Sequence, residues 1–154
     1  MSSQTNFYHD LTLQAQGLLS GESNLIANMA NLSALIFNSM EDINWAGFYL
    51  VDGNELVLGP FQGQPACIRI PMGKGVCGTC ASTGQSQMVD DVHGFDGHIS
   101  CDAASNSELV IPFFQGDEVV GVLDIDSPSI ARFNEQDKVG MQNIIKVLVE
   151  AVFD

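Results

Sequence analysis

The segment Ser100-Cys101-Asp102-Ala103-Ala104-Ser105-Asn106-Ser107-Glu108 sets a cysteine in a loop of small polar residues that runs into a strand headed by an acid. Cys67, Cys77 and Cys80 lie within the preceding thirty-five residues, and no cysteine follows. A nucleophilic thiol, partner thiols and an acid on a rigid strand are the components of redox chemistry at sulfur. The acids form a second pattern. Glu108 stands eight residues before Gly116 and Asp124 eight after it, so a hairpin turning at Gly116 places the two opposite each other. Asp124 and Asp126 are two apart and share a face of their strand. Val122-Leu123-Asp124-Ile125-Asp126 alone would read as an ordinary half-solvated strand. Three acids converging on one face repel unless they hold a cation or share a proton, which makes the functional reading the stronger one.

Other motifs carry less. Cys77-Gly78-Thr79-Cys80 has the C-x-x-C spacing of half a zinc site, which Cys67 or Cys101 could complete. No second C-x-x-C knuckle exists, and the chain is long enough to fold on its own core, so no metal is expected. His93 and His98 share the loop of Cys101 and read as solvated or hydrogen-bonded loop residues. A thioredoxin-type redox pair would need the C-x-x-C in a βαβ setting, whereas the surrounding strands read antiparallel. Gly73-Lys74-Gly75 lacks the spacing of a phosphate-binding loop, which argues against nucleotide hydrolysis.

The elements that must position these residues follow from periodicity. Residues 6–20 and 23–40 read as helices, the second capped by Ser23, with Leu25, Met29, Leu32 and Ile36 at helical spacing. Residues 45–51 and 55–59 form a hairpin around Asp52-Gly53-Asn54, and Cys67-Ile68-Arg69-Ile70 is a third strand closed by Pro71. A glycine-rich entry at 73–78 leads into a short helix ending near Gly84, and a strand at 87–90 precedes an irregular loop over 91–107. Residues 108–114 and 118–126 make the second hairpin. Asn134 caps a closing helix with Met141, Ile144, Ile145, Leu148 and Val152 as its apolar stripe. This is an α+β arrangement, with the helices expected on one face of an antiparallel sheet.

The 154 residues suit one domain spanning 1–154. Net charge is −14 with only five Lys and Arg, scattered along the chain, so neither nucleic acid nor an anionic membrane is an expected partner. A cation, or a zwitterion presenting its ammonium, suits an acidic cleft. The polar start has no basic-then-apolar order and no run could span a membrane, which predicts a cytoplasmic protein with reduced thiols.

The chain resembles the free-methionine-(R)-sulfoxide reductases, single-domain GAF proteins, over nearly its whole length. The carrying segments are Asn44–Tyr49, Leu58–Gly63, Gly73–Gly78, His98-Ile99-Ser100-Cys101-Asp102, Ser105-Asn106-Ser107-Glu108 and Leu123–Asp126. The resemblance implies a six-stranded antiparallel sheet flanked by helices, a homodimer, and reduction of free L-methionine-R-sulfoxide with electrons from thioredoxin and no cofactor. It implies further that Cys101 attacks the substrate, Cys67 resolves the intermediate and Cys77 is an auxiliary thiol or an alternative disulfide partner. Trp45 and Tyr49 match aromatic positions of the substrate pocket, while Glu108, Asp124 and Asp126 match its polar wall. Cys80 departs from the pattern, which expects a small residue such as alanine there.

A sulfoxide needs its oxygen protonated before a thiol displaces it, and the expected proton donor is Glu108 helped by Asp126, with Asp124 meeting the ammonium. A sulfenic acid on Cys101 then condenses with Cys67 to a disulfide. The rival reading is a non-enzymatic GAF sensor of a small ligand, which leaves the cysteines without a role.

Overall fold

The computed structural model describes residues 2–97 and 104–154. Helices α1 (Ser3–Leu19) and α2 (Leu25–Ser39) precede strands β1 (Trp45–Asp52), β2 (Glu55–Gly63) and β3 (Arg69–Pro71). Helix α3 (Gly75–Thr83), strand β4 (Gln87–Val89), a 3-10 turn at Val92–Gly94, strands β5 (Ser107–Gln115) and β6 (Glu118–Ser127), and helix α4 (Glu135–Phe153) follow. The strands form one antiparallel sheet in the order β3-β2-β1-β6-β5-β4. The fold is α+β, as expected. No helix among the described residues is long and apolar enough to cross a membrane.

Local chemistry sets the helix ends. Ser2 accepts from the Thr5 N–H at the start of α1. Asn24, rather than the expected Ser23, caps α2 by accepting from the Ala27 N–H. Asn134 and Asp137 form a reciprocal capping box on α4. At the other end of α3, the chain stops at Gly84 in the left-handed region (φ 70°).

Alternation along β1, β5 and β6 splits the core in two. Ala46, Phe48, Leu109, Ile111, Phe113, Leu123 and Ile125 face one way, onto α2 and α4, and the apolar stripe of α1 joins the same cluster through those two helices. Trp45, Tyr49, Val110 and Val122 face the other way, where Val76, Cys77, Cys80 and Ala81 of α3 cover them. The expectation that all helices share one face is therefore wrong. A central strand such as β5, buried along Ser107–Phe113, needs cover on both sides, and α3 supplies the second. The third strand also starts later than expected, at Arg69, leaving Cys67 in the connection between β2 and β3.

Close packing of α1 on α4 seats the helical layer. The Tyr8 hydroxyl donates to Asp137 at 2.6 Å, which fixes the ring over Gly140, where an added Cβ would lie 2.3 Å from its Cγ and Cδ1. Gly140→Ala should therefore destabilise the protein by about 1–3 kcal/mol, although alanine is the better helix former. Urea unfolding of the variant against the parent measures it.

Candidate active site

The sheet brings the acids together through its register. On the face covered by α3, one row across the strands reads Glu108 (β5), Asp126 (β6), Trp45 (β1) and Gly63 (β2). The next row reads Val110, Asp124, Gly47 and Phe61, and then come Pro112, Val122, Tyr49 and Leu58. Glu108 thus faces Asp126, not Asp124 as the count from Gly116 predicts. The turn is centred between Gly116 and Asp117, since Gln115 pairs with Glu118. A bulge then leaves Val120 without a partner between the Phe114–Val119 and Phe113–Gly121 pairs, which shifts the register once more. The convergence survives because Asp124 and Asp126 share a face whichever of them lies opposite Glu108.

All three carboxyls are buried, with Glu108 and Asp126 9% exposed and Asp124 5%. Among the described residues no Lys or Arg pairs with Glu108 or Asp124; the ion pairs of Arg69, Arg132 and Lys138 lie elsewhere. Burial pushes the Asp124 carboxyl well above the usual carboxylate range, and the charges of Asp126 and Glu108 push it further. Hydrogen bonding to those two neighbours acts the same way. Among the described residues the buried Asp124 Oδ1 has no hydrogen-bond partner.

Helix α3 lays a thiol against this group. Cys77 Sγ donates to Glu108 Oε2 at 3.6 Å, and one donor atom each from Cys77, Glu108 and Asp124 lie within 4.8 Å of one another. That spacing suits a single cation between them, an ammonium or a metal ion. Desolvation, followed by the charges of Asp124, Glu108 and Asp126, raises the Cys77 thiol well above its ordinary range. Burial pushes Cys80 up to about 12, and its sulfur turns away to donate to the Val110 carbonyl at 3.8 Å. Cys77 and Cys80 are free thiols, whereas Cys67 is in a disulfide. Among the described residues the cysteines do not form a zinc-type cluster; the one group of metal-ligand type contains Cys77 alone of them.

The aromatic pair is placed beside the acids. Trp45 and Tyr49 are stacked (centroids 6.0 Å apart, 23° between planes), and Phe61 also stacks on Trp45 at 5.1 Å and 15°. Gly47 makes room for this, since a Cβ there would lie 2.2 Å from that of Phe61. Sequence reasoning gave Phe61 no role, although it sits in one of the segments that carried the resemblance. It also missed where the polar ends of the two rings point. Trp45 Nε1 donates to the Gln64 carbonyl and the Tyr49 hydroxyl to the Cys67 carbonyl, each at 3.0 Å. Cys101 and His98 lie outside the described residues, and His93 pairs with Asn106 at 3.0 Å in the same connection.

A carboxyl whose pKa rises on folding binds its proton more tightly in the native state. Stability then falls as pH rises from about 4, where the unfolded carboxyl ionises, up to the folded pKa. Asp124→Asn, which replaces the proton-dependent group by a permanently neutral one, should match the parent near pH 4. Toward pH 8 it should be increasingly the more stable of the two, by up to about 1.4 kcal/mol per pH unit crossed. Urea midpoints at pH 4, 6 and 8 test the sign; a parent that gains on the variant with rising pH would contradict a protonated Asp124.

Residues 27–146 match the GAF domain family model. The chain is 51% identical to free methionine-R-sulfoxide reductase of Escherichia coli (strain K12) over 94% of its length and 88% of that protein. It is similar to the solved structure of Staphylococcus aureus fRMsr in complex with substrate, with a TM-score of 0.91 and 50% identity, covering 94% of this chain and 95% of that one. The free methionine-R-sulfoxide reductase of Neisseria meningitidis, also solved with its substrate, superposes with a TM-score of 0.93 at 38% identity, over 98% and 91% of the two chains.

Proposed function

This chain belongs to the free methionine-R-sulfoxide reductase family of GAF-domain proteins, and on that premise we propose that it reduces free L-methionine-R-sulfoxide to methionine by thiol chemistry. It is an oxidoreductase. The observation that carries the proposal is the buried convergence of Glu108, Asp124 and Asp126 beside Cys77, with no Lys or Arg among the described residues paired to Glu108 or Asp124. Such a wall is costly to bury and is suited to an amino acid's ammonium and to a proton-requiring reaction.

In the proposed sequence the substrate's ammonium enters against the acids, and its thioether end rests on Trp45 and Tyr49. A positive charge arriving beside Asp124 lowers the pKa that burial has raised. The proton Asp124 held becomes transferable, and Glu108, helped by Asp126, delivers it to the sulfoxide oxygen. Cys101 attacks the sulfoxide sulfur; the S–O bond breaks, methionine leaves, and Cys101 retains the oxygen as a sulfenic acid. Cys67 then attacks that sulfur, forming the Cys67–Cys101 disulfide and releasing water. Two electrons have passed from the thiols to the substrate. A thioredoxin dithiol restores them by exchange.

The states of the other thiols support these roles. Cys77 is buried among acids that hold it as a thiol, and Cys80 is sealed against Val110, so both are poor nucleophiles at neutral pH. Cys67 is the described cysteine that is disulfide-bonded. The same reading takes residues 1–154 as one GAF unit, cytoplasmic and homodimeric, with Cys77 as an auxiliary thiol.

The test is NADPH consumption coupled through thioredoxin and thioredoxin reductase. Turnover is expected on free L-methionine-R-sulfoxide, and not on the S epimer or on an N-blocked R-sulfoxide. Cys101→Ser should abolish it, Cys67→Ser should leave one methionine per enzyme without recycling, and Glu108→Gln should lower kcat/KM by about 10²–10⁴. Folded, reduced protein without turnover on any of the three would sink the reading.

A further inference from the structure

The connection between β2 and β3 carries Cys67, and the buried aromatics of β1 hold it at several points. At Gly63 the chain leaves β2 with φ 132°, in the region open to glycine, and passes so near Trp45 that a Cβ would lie 2.6 Å from Cδ1 of the indole. One residue later the Trp45 Nε1–H donates to the Gln64 carbonyl at 3.0 Å. Three residues further on, the Tyr49 hydroxyl donates to the carbonyl of Cys67 itself, also at 3.0 Å. Both donors are buried strand residues stacked on each other, and Trp45 also stacks on Phe61. Nothing in packing alone requires both polar ends to point at one four-residue segment, since indole and phenol can satisfy a single donor anywhere.

We propose that Tyr49 and Trp45 are positioning residues for the resolving cysteine: their donors latch residues 64–67 onto the aromatic floor and hold Cys67 where it can close the disulfide. The proposal rests on the reading of Cys67 as the resolving thiol. A sulfenic acid and a thiol condense at a rate set by how often they meet, so a held segment raises the effective concentration of the Cys67 sulfur. The hydroxyl of Tyr49 acts on the second half of the reaction, after methionine has left, while its ring serves the first. Gly63 completes the latch by letting the chain descend onto Trp45.

Two variants strike the latch from different sides. Tyr49→Phe keeps the ring and removes the donor; Gly63→Ala keeps both donors and lifts the segment. The first readout needs no substrate: equilibrium of the Cys67 disulfide with reduced and oxidised glutathione, followed by thiol alkylation and mass measurement. Tyr49→Phe should weaken the disulfide about three- to tenfold, the net worth of one hydrogen bond, and Gly63→Ala at least tenfold, roughly 30 mV. Gly140→Ala, which loosens the fold in the helical layer, should leave this equilibrium unchanged and separates a latch from general destabilisation.

The second readout is a single turnover without reductant. In both variants disulfide closure should slow by a larger factor than methionine release, and the lingering sulfenic acid should be trapped by dimedone. A disulfide of parental strength in both variants would overturn the latch while leaving the reductase reading intact. So would equal slowing of the two steps, which would confine Tyr49 to substrate binding. A parent enzyme that releases no methionine would remove the reductase reading, and the glutathione equilibrium would still decide the latch.

Discussion

Burying three carboxyls on one face of a sheet is the constraint around which this molecule is arranged. Each ionised acid placed out of water costs several kcal/mol unless it is neutralised or paired. Among the described residues, no Lys or Arg pairs with Glu108 or Asp124. What remains is sharing. Burial and the neighbouring acids push the Asp124 carboxyl upward, which favours its protonated form, and the Cys77 S–H donates to Glu108. The rest of the fold offsets this cost on the far side of the sheet, where Ala46, Phe48, Leu109, Ile111, Leu123 and Ile125 lie in the core shared with the helical layer. Strands β5 and β6 therefore carry the buried acids and, on alternate positions, Leu109, Ile111, Leu123 and Ile125 of the apolar core.

Much of this was readable before any coordinates. Asp124 and Asp126 share a face by the period of a strand alone, and Glu108 had to fall near them once residues 108–126 were read as a hairpin. Helical spacing placed α1, α2 and α4 within a few residues of their observed bounds. The register was not readable, because Val120 is an ordinary strand residue whose exclusion from the ladder leaves no mark on composition. The side taken by α3 was hidden for a related reason. Its small residues, Gly75, Val76, Cys77, Gly78, Cys80 and Ala81, are buried nearly all round and show no amphipathic stripe to orient it.

The four cysteines illustrate a further limit. Spacing gave Cys77 and Cys80 equal standing as a C-x-x-C pair, yet one points to an acid and the other to a strand carbonyl. Their position three apart on a helix fixes proximity without fixing what each sulfur meets. The run Cys67-Ile68-Arg69-Ile70 reads as strand. The Gln64 and Cys67 carbonyls instead accept from Trp45 and Tyr49, and only from Ile68 onward does the β2 backbone take over. Those two donors come from β1, some twenty residues away, and no local pattern announces them.

The bulge at Val120 also governs how such a chain can vary over evolutionary time. Residues at the hairpin tip lie beyond it, where Gly116 and Asp117 turn in open space, and length changes there disturb few partners. Between the bulge and Asp126 the tolerance vanishes. Losing or gaining a single residue in that span rotates every following side chain to the opposite face. The acids would be driven into the helical layer, and Leu123 and Ile125 would be turned toward Cys77. Insertions and deletions in this lineage should therefore collect at the tip, with the spacing from Gly121 to Asp126 held invariant even where the residue types drift.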